Sequence, residues 1–302
     1  MATLKGQNFR ILVRNGDEWS VIGMSTSCTV TLTGNTDDAS TKDDLGGAQK
    51  PTITSKSWSV SVESLSVADI AALLNAIKNG TKFNLLWDET STDDNQTAQI
   101  ATFNRAGWAF LNDLTLTFND RENSAKSLQF TGSGPLTTMS GTHDTAVVAA
   151  GSYTKGQFVR LFLGSDNTAT PAKVIAAAKS LSFHVSTTLE DATTKDTTDD
   201  WQVQEVTGIA FDISSNALVR SGDTITSSVA AQDLAAIESI YEASTPVKFV
   251  IANTSGANNR TKGTAIVSGS VIVTQLTLNG PNRQNATYDT TLTGYGEYTV
   301  AA

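Results

Sequence analysis

The sequence predicts a mainly β protein: two tandem copies of a β-sandwich or small barrel, each flanked by one α-helix and carrying one long loop. Three observations carry this expectation. Apolar and polar residues alternate with the period of a half-buried strand, as where Cys28, Val30 and Leu32 interleave with Thr29, Thr31 and Thr33. Thr is abundant and Pro is scarce, with only 5 in 302 residues, which suits strands more than helices. Short blocks recur in one order along the chain at a domain-sized spacing, the mark of a duplicated fold and not of a solenoid.

The repeats divide the chain. Lys5-Gly6-Gln7 returns as Lys155-Gly156-Gln157, and Asp38-Ala39-Ser40-Thr41-Lys42-Asp43 as Asp191-Ala192-Thr193-Thr194-Lys195-Asp196. Ala68-Asp69-Ile70 has the partner Gln232-Asp233-Leu234, and Lys82-Phe83 the partner Lys248-Phe249. Leu114-Thr115-Leu116 matches Leu276-Thr277-Leu278, and Thr131-Gly132-Ser133-Gly134 matches Thr293-Gly294-Tyr295-Gly296. The expected domains are residues 1–134 and 153–302. The Gly-, Ser-, Thr- and Ala-rich stretch 135–152 between them, free of aromatics, reads as a linker.

Each copy opens on a strand, at residues 9–13 and 158–163. The Cys28–Val30–Leu32 alternation is repeated by Leu181, Phe183 and Val185. A long polar loop follows, residues 34–52 and 187–205, and then a second alternating strand around Trp58, Val60 and Val62, or Phe211 and Ile213. One helix is expected after it. In the first copy Ser66 is a plausible N-cap, Val67, Ile70, Leu74 and Ile77 form the apolar stripe, and Gly80 is the stop. Its twin spans residues 229–243. Strands at 82–87, 98–103, 107–119 and 128–132 complete the first copy, and a hairpin around Ser221-Gly222-Asp223 lengthens the second.

The composition excludes several function classes. Asp and Glu number 30 against 21 Lys and Arg, a net charge of -9, so no basic surface is expected to clamp nucleic-acid phosphates or anionic lipids. The first residues lack the basic and apolar runs of a secretory signal, and no window approaches a membrane span. The single cysteine, Cys28, reads as a small buried hydrophobe, and His143 and His184 as surface histidines without a triad around them. The acidic pairs lack the spacing of a calcium loop, so no metal, cofactor or catalytic site is expected.

The opening Lys-Gly-Gln strand, the Thr-rich alternating strand and the Asp-Ala-Ser/Thr-Thr-Lys-Asp loop resemble the major tail tube proteins of long-tailed bacteriophages. They are also similar to the inner-tube proteins of contractile injection systems and the ring protein of type VI secretion. The resemblance implies a structural virion protein, made in the bacterial cytoplasm, that polymerises as stacked rings into a conduit for DNA ejection. Because most of these proteins carry one such domain and form hexameric rings, two copies imply three chains per pseudo-hexameric ring; a hexamer of two-domain chains is the alternative. Tape measure, tail-tip and terminator proteins are the further partners it implies; DNA passes without sequence-specific binding. The alternative function is a β-sandwich module of the virion or cell surface that binds a receptor or glycan.

Strand alternation then assigns faces. Ser59, Ser61, Glu63, Thr115 and Thr117, with Ser182, His184, Asp212, Ser214, Gln275 and Thr277, are expected to line the lumen. Asp38, Lys42 and Asp43, with Asp191, Lys195 and Asp196, are expected on loops that stack one ring on the next, Lys42 and Lys195 reaching carboxylates of a neighbour.

Overall fold

The computed structural model describes residues 5–15, 18–43, 48–65, 70–90, 103–139, 145–146, 154–196, 199–219, 231–255 and 261–301. A 3-10 turn (Gly6–Asn8) leads into β1 (Phe9–Asn15), followed by β2 (Glu18–Val21), β3 (Ser25–Asp38), β4 (Pro51–Ser64), α1 (Ile70–Lys78), β5 (Lys82–Glu89), β6 (Arg105–Asn119) and β7 (Ala125–Gly132). β8 (Thr145–Ala146) pairs parallel to β2. A second 3-10 turn (Gly156–Phe158) then opens β9 (Val159–Leu163), β10 (Lys173–Ile175), β11 (Ala178–Asp191), β12 (Gln204–Leu218) and β13 (Ala231–Gln232). α2 (Leu234–Ala243), β14 (Val247–Ser255), β15 (Thr261–Asn279), β16 (Thr287–Gly294) and β17 (Thr299–Val300) finish the chain.

The long strands form one antiparallel sheet in the order β3–β4–β7–β6–β11–β12–β16–β15. Its two centres of gravity are the halves of the chain, and the join between them is β6 against β11, from Ser180 opposite Asn119 to Ser186 opposite Asp113. A smaller layer backs each half, β2–β1–β5 in the first and β10–β9–β14 in the second. β6 and β15 belong to both layers of their half, because each carries a bulge, between Leu111 and Asp113 and between Val273 and Gln275. An extra residue bends and twists the strand, which lets one strand turn the corner of a sandwich.

The alternating apolar residues fill the space between layers. Trp58, Val60, Val62, Leu114, Leu116 and Phe118 are buried, as are Phe183, Val185, Phe211 and Ile213, and one apolar cluster runs through both halves. α1 buries Ile70, Leu73, Leu74 and Ile77 on one side, and Gly80, at φ +58°, ends it in the left-handed conformation that only glycine adopts without strain. The second half closes over α1: the Tyr298 hydroxyl donates to Leu74 O at 2.7 Å, and Lys78 Nζ lies 2.9 Å from Glu297.

The registers of the two halves repeat. Ser59 lies opposite Thr131 as Asp212 lies opposite Thr293, and Thr115 opposite Ser127 as Thr277 opposite Asp289. The bulges between Ser25 and Ser27 and between Asn35 and Thr36 recur between Ala178 and Ser180 and between Thr188 and Leu189. The β3–β4 pair thus maps to β11–β12 by 153 residues, and β6–β7 to β15–β16 by 162.

Several expectations change. Phe249, opposite Gly269, occupies the place of Leu85 opposite Gly107, so the Lys82-Phe83 match is two residues out of register and fortuitous. α2 begins at Leu234 and not at 229, because the Asp233 side chain accepts from Ala236 N at 3.0 Å and fixes the first turn there. The long loops are shorter than residues 34–52 and 187–205, since strands run on to Asp38 and Asp191 and resume at Pro51 and Gln204. Ser66, most of the strand expected at 98–103, the hairpin at 221–223 and most of the linker lie outside the described residues.

Two glycines make the aromatic packing possible. Gly132 lies flat against the Trp58 indole, whose Nε1 donates to Gly134 O at 3.1 Å, and a Cβ on Gly294 would stand 2.5 Å from the Phe211 ring. Gly132→Ala or Gly294→Ala is expected to cost about 1–3 kcal/mol by overpacking. Gly6→Ala, which points into open space, is expected to change the melting temperature little. Thermal denaturation of the three variants checks this.

Candidate functional site: the wet face of the eight-stranded sheet

Opposite the core, the sheet presents a second face made by the alternate residues of the same strands. One row of directly opposed residues crosses seven strands: Thr293, Asp212, His184, Thr115, Ser127, Glu63 and Ser27. The next row includes Thr291, Ser214, Ser182 and Thr117. All eleven residues expected on this face lie there. Ser59, Thr115, Thr117, Ser182, His184 and Asp212 are half-buried among their neighbours, and Ser61, Glu63, Ser214, Gln275 and Thr277 are exposed. Sequence reasoning missed the contributions of β7 and β16, among them Ser127, Gln129, Thr291 and Asp289. The signal was present, since Leu128 and Phe130, or Tyr288 and Leu292, alternate with them.

Small hydroxyls and amides dominate this surface, and its charges are mostly acidic. Ser27 Oγ donates to Glu63 Oε2 at 3.2 Å, Thr131 Oγ1 to Asn112 Oδ1 at 3.0 Å, and Asn216 Nδ2 to Asp289 Oδ1 at 2.7 Å. None of the described residues named on this face is Lys or Arg.

At the join of the halves sits an arrangement that the sequence did not announce. His184, on β11, holds Asp212 of β12 through Nδ1 at 2.8 Å and Asp113 of β6 through Nε2 at 2.7 Å. The expected isolated surface histidine is therefore a clamp between the halves. Alternation places a histidine on a face but says nothing about which strand lies beside it. Burial pulls the His184 pKa down, and the hydrogen bonds and negative charge of the two carboxylates outweigh it, so the value stands above the ordinary 6.5. With both ring nitrogens donating, the imidazolium is the form that satisfies both partners.

The polar segments 34–52 and 187–205 are two hairpin arms with matching tips. At the first, Asp38 accepts from Ser40 N at 2.9 Å and from the Ser40 hydroxyl at 2.5 Å, and Ser40 Oγ accepts from Lys50 N at 3.0 Å. At the second, Asp191 accepts from Thr193 N at 2.9 Å and from its hydroxyl, and Thr193 Oγ1 accepts from Val203 N at 2.9 Å. These bonds hold the Asp38 carboxyl below its ordinary pKa, the Ser40 hydroxyl contributing most. They explain why Asp-Ala-Ser/Thr is kept in both tips: the carboxylate and hydroxyl close the turn. Lys42, Asp43, Lys195 and Asp196 follow on the exposed outer side. The second arm also returns to the first half, where Lys56 N donates to Asp200 O at 2.7 Å, Lys56 Nζ meets Asp200 Oδ2 at 3.2 Å, and Gly134 N donates to Gln202 O at 2.8 Å. Among the described residues no group of three or more His, Cys, Asp or Glu could hold a metal ion, and no helix is long and apolar enough to cross a membrane.

A group whose pKa is raised by folding contributes stability that is whole below its unfolded value and is lost as pH rises through the folded value. The stability advantage of the wild type over His184→Gln is thus expected to be largest below pH about 6.5 and to shrink as pH rises above it. Denaturant melts of both proteins from pH 5 to 9 measure that difference; an advantage that grows with pH contradicts the clamp.

No curated protein matches the chain. Among solved structures, it is similar to a chain in the tail of an empty gene transfer agent particle with C6 symmetry, at 17% identity and a TM-score of 0.38, over 49% of this chain and 99% of that one. A chain in the virion of the native gene transfer agent particle gives 17% identity and a TM-score of 0.34 over the same shares. The SPP1 tail tube gives 17% identity and a TM-score of 0.33, over 49% of this chain and 78% of that one. Residues 156–300 match the sequence profile of the family described as phage tail tube protein. The second half of the chain is thus similar to phage tail tube proteins.

Proposed function

We propose that this structural protein of the tail tube closes a ring from three chains, each contributing two copies of one tube domain. The observation that supports this most is the join of β6 with β11, which turns two four-stranded sheets into one of eight strands with open edges only at β3 and β15. Three such sheets closed edge to edge make a barrel of about two dozen strands, beyond the 16–18 that already leave an aqueous channel. Closure also removes the exposed sheet edges that a lone chain carries. The matching registers of the two halves support the reading that residues 1–134 and 153–302 are copies of one fold.

In this ring the wet face lines the bore. Ser59, Ser61, Thr115, Thr117, Ser182, Ser214, Gln275 and Thr277 offer a neutral hydroxyl and amide lining, and Glu63, Asp212 and Asp113 add negative charge. Cationic groups would displace DNA counterions and hold phosphates in place, so a face whose named residues include no Lys or Arg, and whose His184 is held between two carboxylates, suits a conduit that lets the genome pass. The chain has no catalytic task; it transmits DNA without reading it. The arm tips carry Lys42, Asp43, Lys195 and Asp196 to the next ring, where the lysines meet carboxylates. Tape measure, tail-tip and terminator proteins meet the ends of the finished tube.

Two measurements test this. Negative-stain microscopy of concentrated protein is expected to show annular particles or tubes. Arginine at Ser61, Ser214 or Thr277, exposed positions where substitution costs less than about 0.5 kcal/mol, is expected to leave folding and tubes intact while slowing genome ejection. Val60→Arg, which buries an unpaired charge, is expected to prevent folding. Normal ejection through intact tubes with arginine at all three exposed positions would show that this face does not line the bore.

A further inference from the structure

The ring reading leaves open how one copy meets the next, and the chain contains its own answer. β6 pairs with β11 inside the chain, and the residue-by-residue offsets of the two halves map β11 onto β3 and β6 onto β15. β3 and β15 are the free edges of the sheet. Resting on that ring reading, we propose that contact between copies reproduces the internal join: β3 of one copy lies antiparallel beside β15 of the next, with Thr31 opposite Thr277 and Val30 opposite Leu278. These are the positions of His184 opposite Thr115 and Phe183 opposite Leu116.

Exposure at the edges supports this occupant. Leu32 is 61% exposed, and Val185, its counterpart at the join, is 0%. Leu278 is 55% exposed against 1% for its counterpart Leu116. The helices show the same asymmetry independently of the strands. Ile77 on α1 is 2% exposed in a helix covered by Tyr298 and Glu297 of the second half, whereas its counterpart on α2, Tyr241, is 47% exposed. Apolar positions are therefore buried where a neighbouring half is present, preceding for Val185 and following for Leu116 and α1, and bare where one is missing. A head-to-tail contact of this kind uses two different surfaces on each copy and closes only by rotation, which is the geometry of a ring.

The two contacts differ chemically on the wet face. The join carries the charged clamp His184–Asp113–Asp212; the same three positions at the contact between copies are Thr31, Gln275 and Ser59, all neutral. Charge therefore marks the permanent join within a chain, while the contact that must form between separate chains rests on apolar burial and backbone hydrogen bonds.

Cysteine pairs read the register. Asp120 N donates to Lys179 O at 2.8 Å across the join, which makes 116/183 a hydrogen-bonded pair and 115/184 a closely spaced, non-hydrogen-bonded one. Thr31 and Thr277 inherit the close spacing, with Cα atoms about 4.5 Å apart, within disulfide reach. In a Cys28→Ala background, T31C/T277C is expected to oxidise into covalently closed trimers on non-reducing gels of assembled rings. S27C/T277C, four residues and about 13 Å out of register, is expected not to cross-link. Leu32→Arg and Leu278→Arg are expected to abolish rings with the melting temperature unchanged. Rings seen by microscopy in which T31C/T277C does not cross-link, or S27C/T277C does, overturn the register and leave the ring reading standing. Rings that survive both arginine variants overturn this pairing of edges. A protein that forms neither rings nor tubes at any concentration overturns the ring reading, and the proposal with it.

Discussion

A β-sheet cannot end without leaving a row of unpaired N–H and C=O groups, and the organisation of this chain follows from how it meets that constraint. Between β6 and β11 the edge of one half satisfies the edge of the other. Leu114 and Leu116 on one side, and Phe183 and Val185 on the other, are fully shielded as a consequence. The apolar cluster is continuous across both halves for the same reason, and Tyr298 reaches α1 from the second half. Burying a polar backbone edge without partners would cost more than any of these apolar contacts returns, so strand pairing sets the frame and packing fills it.

Pairing also fixes what each face can do. Because side chains alternate, every residue that the core claims commits its neighbours to the other surface. Trp58 and Phe211 pack on Gly132 and Gly294, and Ser59 and Asp212 are thereby turned outward. Among the described residues the outer face is rich in hydroxyls, and its charges are mostly acidic. Its one charged cluster, at His184, sits where the two halves meet and ties three strands together.

Much of this was legible in the sequence because it is local. Alternation around Val30, Val60 and Leu116 announces strands and their faces, and the recurrence of Leu114-Thr115-Leu116 falls on β6 and β15, whose registers match. The partners of those strands were not legible. Nothing in Thr115 or His184 says that β6 lies beside β11, since pairing between strands some seventy residues apart leaves no short-range pattern. The arms were misread as loops for a related reason: both faces of a projecting hairpin are wet, so residues such as Thr36, Asp37 and Thr52 show no apolar alternation. The Lys82-Phe83 match shows the opposite error, a similarity of letters that the register of β14 assigns to different places.

The central claim is that each chain supplies two of the six positions of a ring through one internal join. Native mass spectrometry of rings released from tubes at low ionic strength tests this most directly. The account predicts a single species with the mass of three chains; rings of six chains, or open oligomers with no preferred number, would contradict it.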